Sequence, residues 1–304
     1  MCQCGELLHT WRSPAFSQMQ NAPLYATSNA MQRRDAAVVL ASHLPSMTWQ
    51  DGENILDVGS GSGDVTSGLL YEAIPVDCSL VGCDVSKEMV SYATEHHSAD
   101  NIKFVQLDIT AASCPRSVFP AGFQKVLSLY CLHWVRDLPA AVRNIFSLLV
   151  SGGQSLLIFL ASNPIFRVYR LLASTTKWSP YMKVGPGGRT QYRELTRDLQ
   201  DVETFVPVYQ DSTHPGQEFA ALLARTGFSV RKCEAVDFSY TFTNKNQLRA
   251  ALKAVNPFLV RIPEAKHSEF LSDCVSCLLS LVSPGDPNKL EAKYRLLVAH
   301  MSKK

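Results

Sequence analysis

The segment Ile55-Leu56-Asp57-Val58-Gly59-Ser60-Gly61-Ser62-Gly63-Asp64 decides how the chain is read. A short apolar run enters glycines at 59, 61 and 63, and a helical pattern leaves them. Glycines there allow a tight turn and let a ligand approach the backbone. The dinucleotide fingerprint would need a further glycine at 64, three residues after Gly61. Asp64 stands there instead, at a helix N-terminus, where its charge would repel a pyrophosphate. The loop suits a ligand without phosphates; a purely structural turn is the competing reading.

Outward from the loop, short apolar runs end at Val58, Asp84, Val105, Leu129 and Leu160. Helical stretches fall between them at 64–72, 87–97 and 139–149. Apolar strands that do not alternate, separated by helices, mark a parallel sheet buried on both faces. An open α/β fold follows, with its ligand beyond the carboxyl ends of the strands. Upstream, Ser28 and Asn29 are good caps for a helix over 30–44 with an apolar stripe of Ala37, Val38, Leu40, Ala41 and Leu44. Residues 1–20 show no periodicity and read as a loose extension.

After Ala161 the pattern changes. Residues 163–203 are aromatic-rich and helix-like, interrupted by Gly185-Pro186-Gly187-Gly188. A sheet-packing helix over 217–226 ends at Gly227, a strand follows over 228–236, and 244–281 is helical with a break at Asn256-Pro257. A closing strand spans 294–301. The simplest account is one sheet, residues 21–304, with helical insertions near 163–213 and 242–288 lying over its ligand edge. Their Phe166, Tyr169, Trp178, Tyr181, Phe258, Leu259 and Phe270 would line an apolar pocket, or else fill a helical core of their own.

With 304 residues, 46% of them apolar and 18% charged, the chain can bury a sizeable core. A net charge of +2 argues against a nucleic-acid partner, which normally demands a clear basic excess. The best apolar run, Leu156 to Ala161, is far short of the roughly 18 residues a membrane helix needs. The opening MCQCGELLHTWRSP has no apolar h-region, so no secretory signal is expected. Nine cysteines, an odd number, and the absence of any Asn-x-Ser/Thr sequon point to a reducing, cytoplasmic setting. Cys274-x-x-Cys277 has no second pair and lies in a helical stretch, so buried thiols rather than a metal site are expected.

The pattern D-x-G-x-G-x-G resembles the first motif of S-adenosylmethionine-dependent methyltransferases. Asp84 ends the second strand, 21 positions after Gly63, where a carboxylate can accept both ribose hydroxyl protons; a solvated aspartate capping the next helix is the alternative. Asp108 follows the third strand and in that family would face the adenine amino group, although Asp is also common at loop starts. The candidate cofactor residues are Asp57, Gly59, Ser60, Gly61, Gly63, Asp84, Val85, Asp108, Ile109 and Tyr130.

The likeness sharpens beyond these motifs. The stretch from Leu24-Tyr25-Ala26-Thr27-Ser28-Asn29 through Ala30-Met31-Gln32-Arg33-Arg34-Asp35 is similar to the opening of arthropod juvenile hormone acid O-methyltransferases. So are Leu129-Tyr130-Cys131-Leu132-His133-Trp134-Val135, Leu157-Ile158-Phe159-Leu160-Ala161 with Asn163-Pro164, Lys177-Trp178-Ser179-Pro180-Tyr181-Met182 and Val255-Asn256-Pro257-Phe258-Leu259. The resemblance is spread over about Asn21 to Met301. It implies a Rossmann-like methyltransferase fold, a mostly parallel seven-stranded sheet under a helical lid. It also implies S-adenosylmethionine as cofactor and methyl-ester formation on farnesoic acid or its epoxide; a methyltransferase of the same fold acting on another small molecule, and a catalytically silent S-adenosylmethionine-binding protein, are the alternatives. Ser60 stands where the family usually has Cys, and the glycines at 185–188 and the 20-residue extension are less familiar in it.

The chemistry narrows the substrate-side candidates. A carboxylic acid with a pKa near about 4 is already an anion at pH 7 and needs no general base. In-line positioning and removal of water can contribute about 7–11 kcal/mol. Neutral donors are therefore wanted, because a cation would damp the nucleophile. Gln32, in a first helical turn, and Trp134, after the fourth strand, are such donors. In the resembling family a Gln and a Trp grip the substrate carboxylate. A solvated helix residue and a core aromatic are the competing readings, and His133 either donates to the carboxylate or packs.

Overall fold

Every strand of the sheet is one the sequence announces, and the helices between them follow. The computed structural model describes residues 21–112, 115–182, 201–282 and 290–304. Helices α1 (Ala22–Ser28) and α2 (Ala30–His43) precede strand β1 (Glu53–Val58). A π turn over Thr66–Leu70 then runs into α3 (Tyr71–Ala73), where a plain α-helix over 64–72 is expected. Next come β2 (Cys78–Asp84), α4 (Lys87–His97), β3 (Ile102–Gln106), β4 (Phe123–Leu129), α5 (Leu138–Leu148) and β5 (Leu149–Ser162). Helices α6 (Pro164–Ala173) and α7 (Ser179–Met182) follow, then α8 (Pro215–Thr226), β6 (Phe228–Thr241), α9 (Lys245–Ala254), α10 (His267–Val282) and β7 (Glu291–Lys303). The expected extension at 1–20 and the glycine break at 185–188 lie outside the described residues.

The sheet order is β3-β2-β1-β4-β5-β7-β6, parallel except for β7, which is antiparallel to both its neighbours. Strand order reverses between β1 and β4, and ligands in such sheets bind outside the carboxyl ends at that point. Side-chain alternation sorts the strands into two cores: Ile55 and Leu127 belong to one, Leu56 and Val126 to the other. Strands β6 and β7 run past the expected 228–236 and 294–301, pairing from Phe228↔Lys303 to Thr241↔Glu291. Backbone pairing carries through polar residues at which an apolar run stops.

Helix α8 ends as its composition dictates, with Gly227 at φ 111 accepting the left-handed C-cap conformation. The helical stretch over 244–281 breaks at Asn256-Pro257 as expected: Asn256 Oδ1 accepts from Phe258 N at 2.9 Å, and two short 3-10 turns, Leu259–Arg261 and Glu264–Lys266, separate α9 from α10. The helical layer does not keep a separate core. Phe166, Trp178, Phe258 and Phe270 join the same buried cluster as Ile55, Leu127 and Ile158 of the sheet.

Candidate active site

The glycine loop leaves β1 and folds back on β2: the N–H groups of Gly59 and Ser60 both donate to Cys83 O, at 2.7 and 2.9 Å. Gly59, Gly61 and Gly63 all adopt positive φ, at 80, 54 and 83°. A Cβ on Gly59 would stand 2.2 Å from Cys131 Cβ, so only glycine lets β1 and the turn after β4 meet. Gly61 is different. A Cβ there would meet only the Tyr25 ring, at 3.6 Å, which leaves its backbone open to the cleft. Gly63 packs against Ala93 and Phe104, so its place is a packing need rather than a ligand approach.

Asp84 closes this loop from the β2 side. Its Oδ2 accepts from Gly61 N at 3.0 Å and its Oδ1 from Ser86 N at 2.9 Å. Burial pushes its carboxyl above the usual range, and the N–H bonds pull it partly back. Asp57 lies deeper, 2% exposed, with Oδ2 accepting from Thr66 Oγ1 at 2.6 Å and Oδ1 without a partner among the described residues. Burial pushes Asp57 up to about 7, Thr66 opposing and the Asp84 charge adding.

Asp64 does not stand as a bare charge at a helix end. Its carboxylate accepts from Arg33 Nη1 at 2.7 Å, Asn29 Nδ2 at 3.0 Å and Ser62 Oγ at 2.6 Å. The phosphate-repelling role inferred for it is thus corrected: its charge is neutralised by Arg33, and it straps the start of α2 to the loop. Asn29 occupies the α2 N-cap position, but its amide serves Asp64 and makes no cap hydrogen bond.

A cleft open to solvent brings together Gln32, Gly59, Gly61, Asp84, Tyr130, His133 and Trp134. Asp57, Ser60, Gly63, Val85, Asp108 and Ile109 are not in its lining. Asp108 Oδ1 accepts from Thr110 N and Oγ1, at 2.8 and 2.7 Å, as a turn aspartate does. Ile109 is buried in the second core, and the Val85 carbonyl takes the Gln106 amide at 2.9 Å. Ser60 is buried, its hydroxyl without a partner among the described residues.

On the opposite wall, Tyr130 leaves β4 with φ 61 and starts the 3-10 turn Leu132–Trp134. His133 is 7% exposed and its Nδ1 has no partner among the described residues. Burial pushes it down to about 3, so it is neutral at any working pH. Trp134 packs beside it, ring centroids 5.0 Å apart, and edge-on to Phe166 at 6.0 Å. From Trp134 the cleft turns apolar along Phe166, Tyr169, Phe242, Leu248, Leu252 and Leu278. The pocket expected from the insertions is therefore divided: Phe166 and Tyr169 line the cleft, whereas Trp178, Phe258, Leu259 and Phe270 are core. Cys274 is likewise a buried thiol on α10.

Sequence reasoning missed Tyr25 as a site residue because α1 is too short to show a period. Its signal was Asn21 ahead of Pro23: Asn21 Oδ1 caps Leu24 N at 2.9 Å. Burial raises the Tyr25 phenol, with the Asp64 and Asp84 charges adding to it.

Comparison with known proteins bears on what this cleft does. Residues 55–153 match a family model described as a methyltransferase domain. Juvenile hormone acid O-methyltransferase of Drosophila melanogaster is 37% identical over 293 residues, 94% of this chain and 93% of that protein. The Bombyx mori protein of the same name is 36% identical over 259 residues, 84% of this chain and 85% of its own. A solved S-adenosylmethionine-dependent methyltransferase from Anabaena variabilis superposes with a TM-score of 0.54, covering 95% of this chain and 94% of its own. At 16% identity that likeness concerns the fold.

Proposed function

The chain belongs to the juvenile hormone acid O-methyltransferase family, and from that premise we propose that it makes the methyl ester of a long apolar acid of the juvenile hormone acid or farnesoic acid type. It is an S-adenosylmethionine-dependent methyltransferase. One observation carries the substrate reading: a single cleft is lined by Gly61 and Asp84, by Gln32 and Trp134, and by an apolar set that includes Phe166, Phe242 and Leu252. A cofactor, a carboxylate and a hydrocarbon chain each find matching chemistry there.

The residues present fit the cofactor. Each Asp84 oxygen spends one lone pair on a backbone N–H and keeps another for a ribose hydroxyl. Gly61 leaves a cradle that a side chain would fill. Asp57 keeps an orphaned carboxylate oxygen behind the loop, which a cationic ligand would help to ionise. Ser60, Gly63, Val85, Asp108 and Ile109 support these positions from outside the lining. When bound, S-adenosylmethionine supplies an electrophilic methyl group, which forms a bond to oxygen as its bond to sulfur breaks, the electron pair staying on sulfur.

Gln32 and Trp134 then hold the acid. Neither side chain has a hydrogen-bond partner among the described residues, and both face the cleft. Each is a neutral donor, so each can orient a carboxylate without quenching it. His133 is not a base: a group pushed down to about 3 takes a proton poorly near pH 7. Phe166, Tyr169 and the α9 and α10 side chains that line the cleft exclude water from the ester being formed, so that the described parts of the two insertions, α6 and α9–α10, act as a lid. The partner is thus a small acid rather than a nucleic acid. Among the described residues no helix is long and apolar enough to cross a membrane. The described cysteines are free thiols, which suits a cytoplasmic enzyme.

Turnover of methyl-labelled S-adenosylmethionine against a panel of acids tests this reading. Ester should form with C12–C18 isoprenoid or fatty acids and not with acetate or benzoate. Equal turnover across the panel, or none with any acid, would sink it.

A further inference from the structure

We propose that Asp35 is a positioning residue for methyl transfer, fixing the helix that carries Gln32 against the turn that carries Trp134. The proposal rests on the reading above that those two side chains hold the substrate carboxylate. Asp35 lies on α2 one turn beyond Gln32, so the two share a side of the helix. It is fully buried, and a carboxylate in that state persists only if its oxygens are satisfied. They are, by groups from two distant elements. Oδ2 accepts from Tyr130 Oη and from Tyr294 Oη on β7, both at 2.5 Å. Oδ1 accepts from Arg34 Nε at 2.8 Å and from Arg34 Nη2 at 2.5 Å, which balances the charge. Arg34 Nη2 also donates to Tyr294 Oη at 2.9 Å, and its guanidinium lies over the Tyr240 ring.

The Tyr130 contact is the informative one. Among the described residues Tyr130 is the non-glycine residue with positive φ, a conformation that side chains avoid and that persists only when the surroundings impose it. Two restraints are visible: Tyr130 N donates to Ile158 O at 2.7 Å, and its phenol is held by Asp35. Four residues on, the turn that Tyr130 begins presents Trp134 to the cleft. Asp35 and Tyr294 are not in the cleft lining, so their influence on the reaction passes through the lining residues they hold: Gln32 on α2, and Tyr130 with the turn that carries Trp134.

Asp35→Asn and Tyr294→Phe test this, each made in the parent enzyme and in a Gln32→Ala, Trp134→Phe background. In the parent, Asp35→Asn should lower kcat on the order of ten- to a hundredfold, because about 1 Å of misplacement costs that much. Tyr294→Phe should lower it by less. Cofactor affinity by calorimetry should stay within about twofold in both, which loosening of the whole fold would not allow. In the doubly substituted background, each change should cost less than about threefold more, since the groups it positions are gone. Equal losses in both backgrounds, or full activity of the parent variants, would overturn the positioning role alone. Full activity of the Gln32→Ala, Trp134→Phe enzyme would overturn the carboxylate reading and this proposal with it. If Asp35→Asn does not fold, Tyr294→Phe decides by the same criterion.

Discussion

The glycine loop and the helical cover face each other across one cleft, yet they are held by opposite means. The loop is fixed by backbone: positive φ at three glycines, N–H bonds to Cys83 O, and the Asp84 carboxylate on Gly61 N. All of it comes from about thirty consecutive residues. The cover is fixed by apolar packing between segments far apart in the chain, with α6 from one and α9 and α10 from another sharing a core with the sheet. Backbone restraint sets a shape to within fractions of an ångström. Packing sets a volume and tolerates exchange of its parts. A shared cofactor demands the first; a flexible hydrocarbon acid is served by the second.

Breaking the cover should therefore cost stability before chemistry. Phe270 is fully buried, edge-on to Trp178 at 4.9 Å, and outside the cleft lining. Phe270→Ala should destabilise by about 3–5 kcal/mol in denaturant unfolding, with KM for the acid unmoved. Leu252→Ala, inside the lining, should raise KM for long acids more than for short ones. A raised KM in the first variant and none in the second would reverse the division between core and pocket.

The loop should fail in the opposite manner. Gly59→Ala combines a disfavoured φ with overlap on Cys131, about 2–5 kcal/mol together, and should abolish turnover even where the protein remains folded by circular dichroism. Asp84→Ala is milder. It removes charge-assisted hydrogen bonds worth about 1.5–3 kcal/mol. Calorimetry should show roughly ten- to hundredfold weaker cofactor binding, and unchanged affinity would remove Asp84 from the cofactor site.

The smallest effects concern pH, and their signs differ. His133 and His300 are pushed down by burial to about 3 and 4, so the unfolded chain binds more protons than the folded one between those values and about 6.5. Their contribution is lost as pH falls through that window. Asp57 runs the other way: pushed up to about 7, it binds its proton more tightly when folded, and its contribution declines as pH rises from about 4 to 7. Asp57→Asn should raise the apo-protein Tm at pH 8 while weakening cofactor binding, with the gain in Tm fading below about pH 4. At saturating cofactor, kcat should be flat from about pH 6 to 9. A limb near 6.5 that vanished in His133→Asn would make that residue the base.

What was legible follows from the same contrast. Strand ends at Val58, Asp84 and Leu129, the Gly227 cap and helix α4 are written in neighbouring residues, and the sequence announces them. Gln32 and Trp134 were singled out as neutral donors and by the family resemblance, and the structure brings both to one cleft lining. The partition of aromatics was not legible, since Phe166 and Phe270 obey the same helical periodicity and only packing tells cleft from core. Nor was the bond between Asp35 and Tyr294, 259 residues apart: an acid on a helix resembles any solvated one until its partners arrive.

The position of β7 also bears on how the protein is made. It is the last strand in chain order, yet it lies between β5 and β6. A nascent chain emerging from the ribosome carries the glycine loop, Asp84, Gln32 and Trp134 long before it can close the sheet. Until β7 is inserted, β5 and β6 expose unpaired edges, the state most open to sticking to other chains. The same strand brings Ala292 to the cleft and Tyr294 to Asp35. The cleft wall and the Asp35 contact are therefore complete only once β7 has joined the sheet.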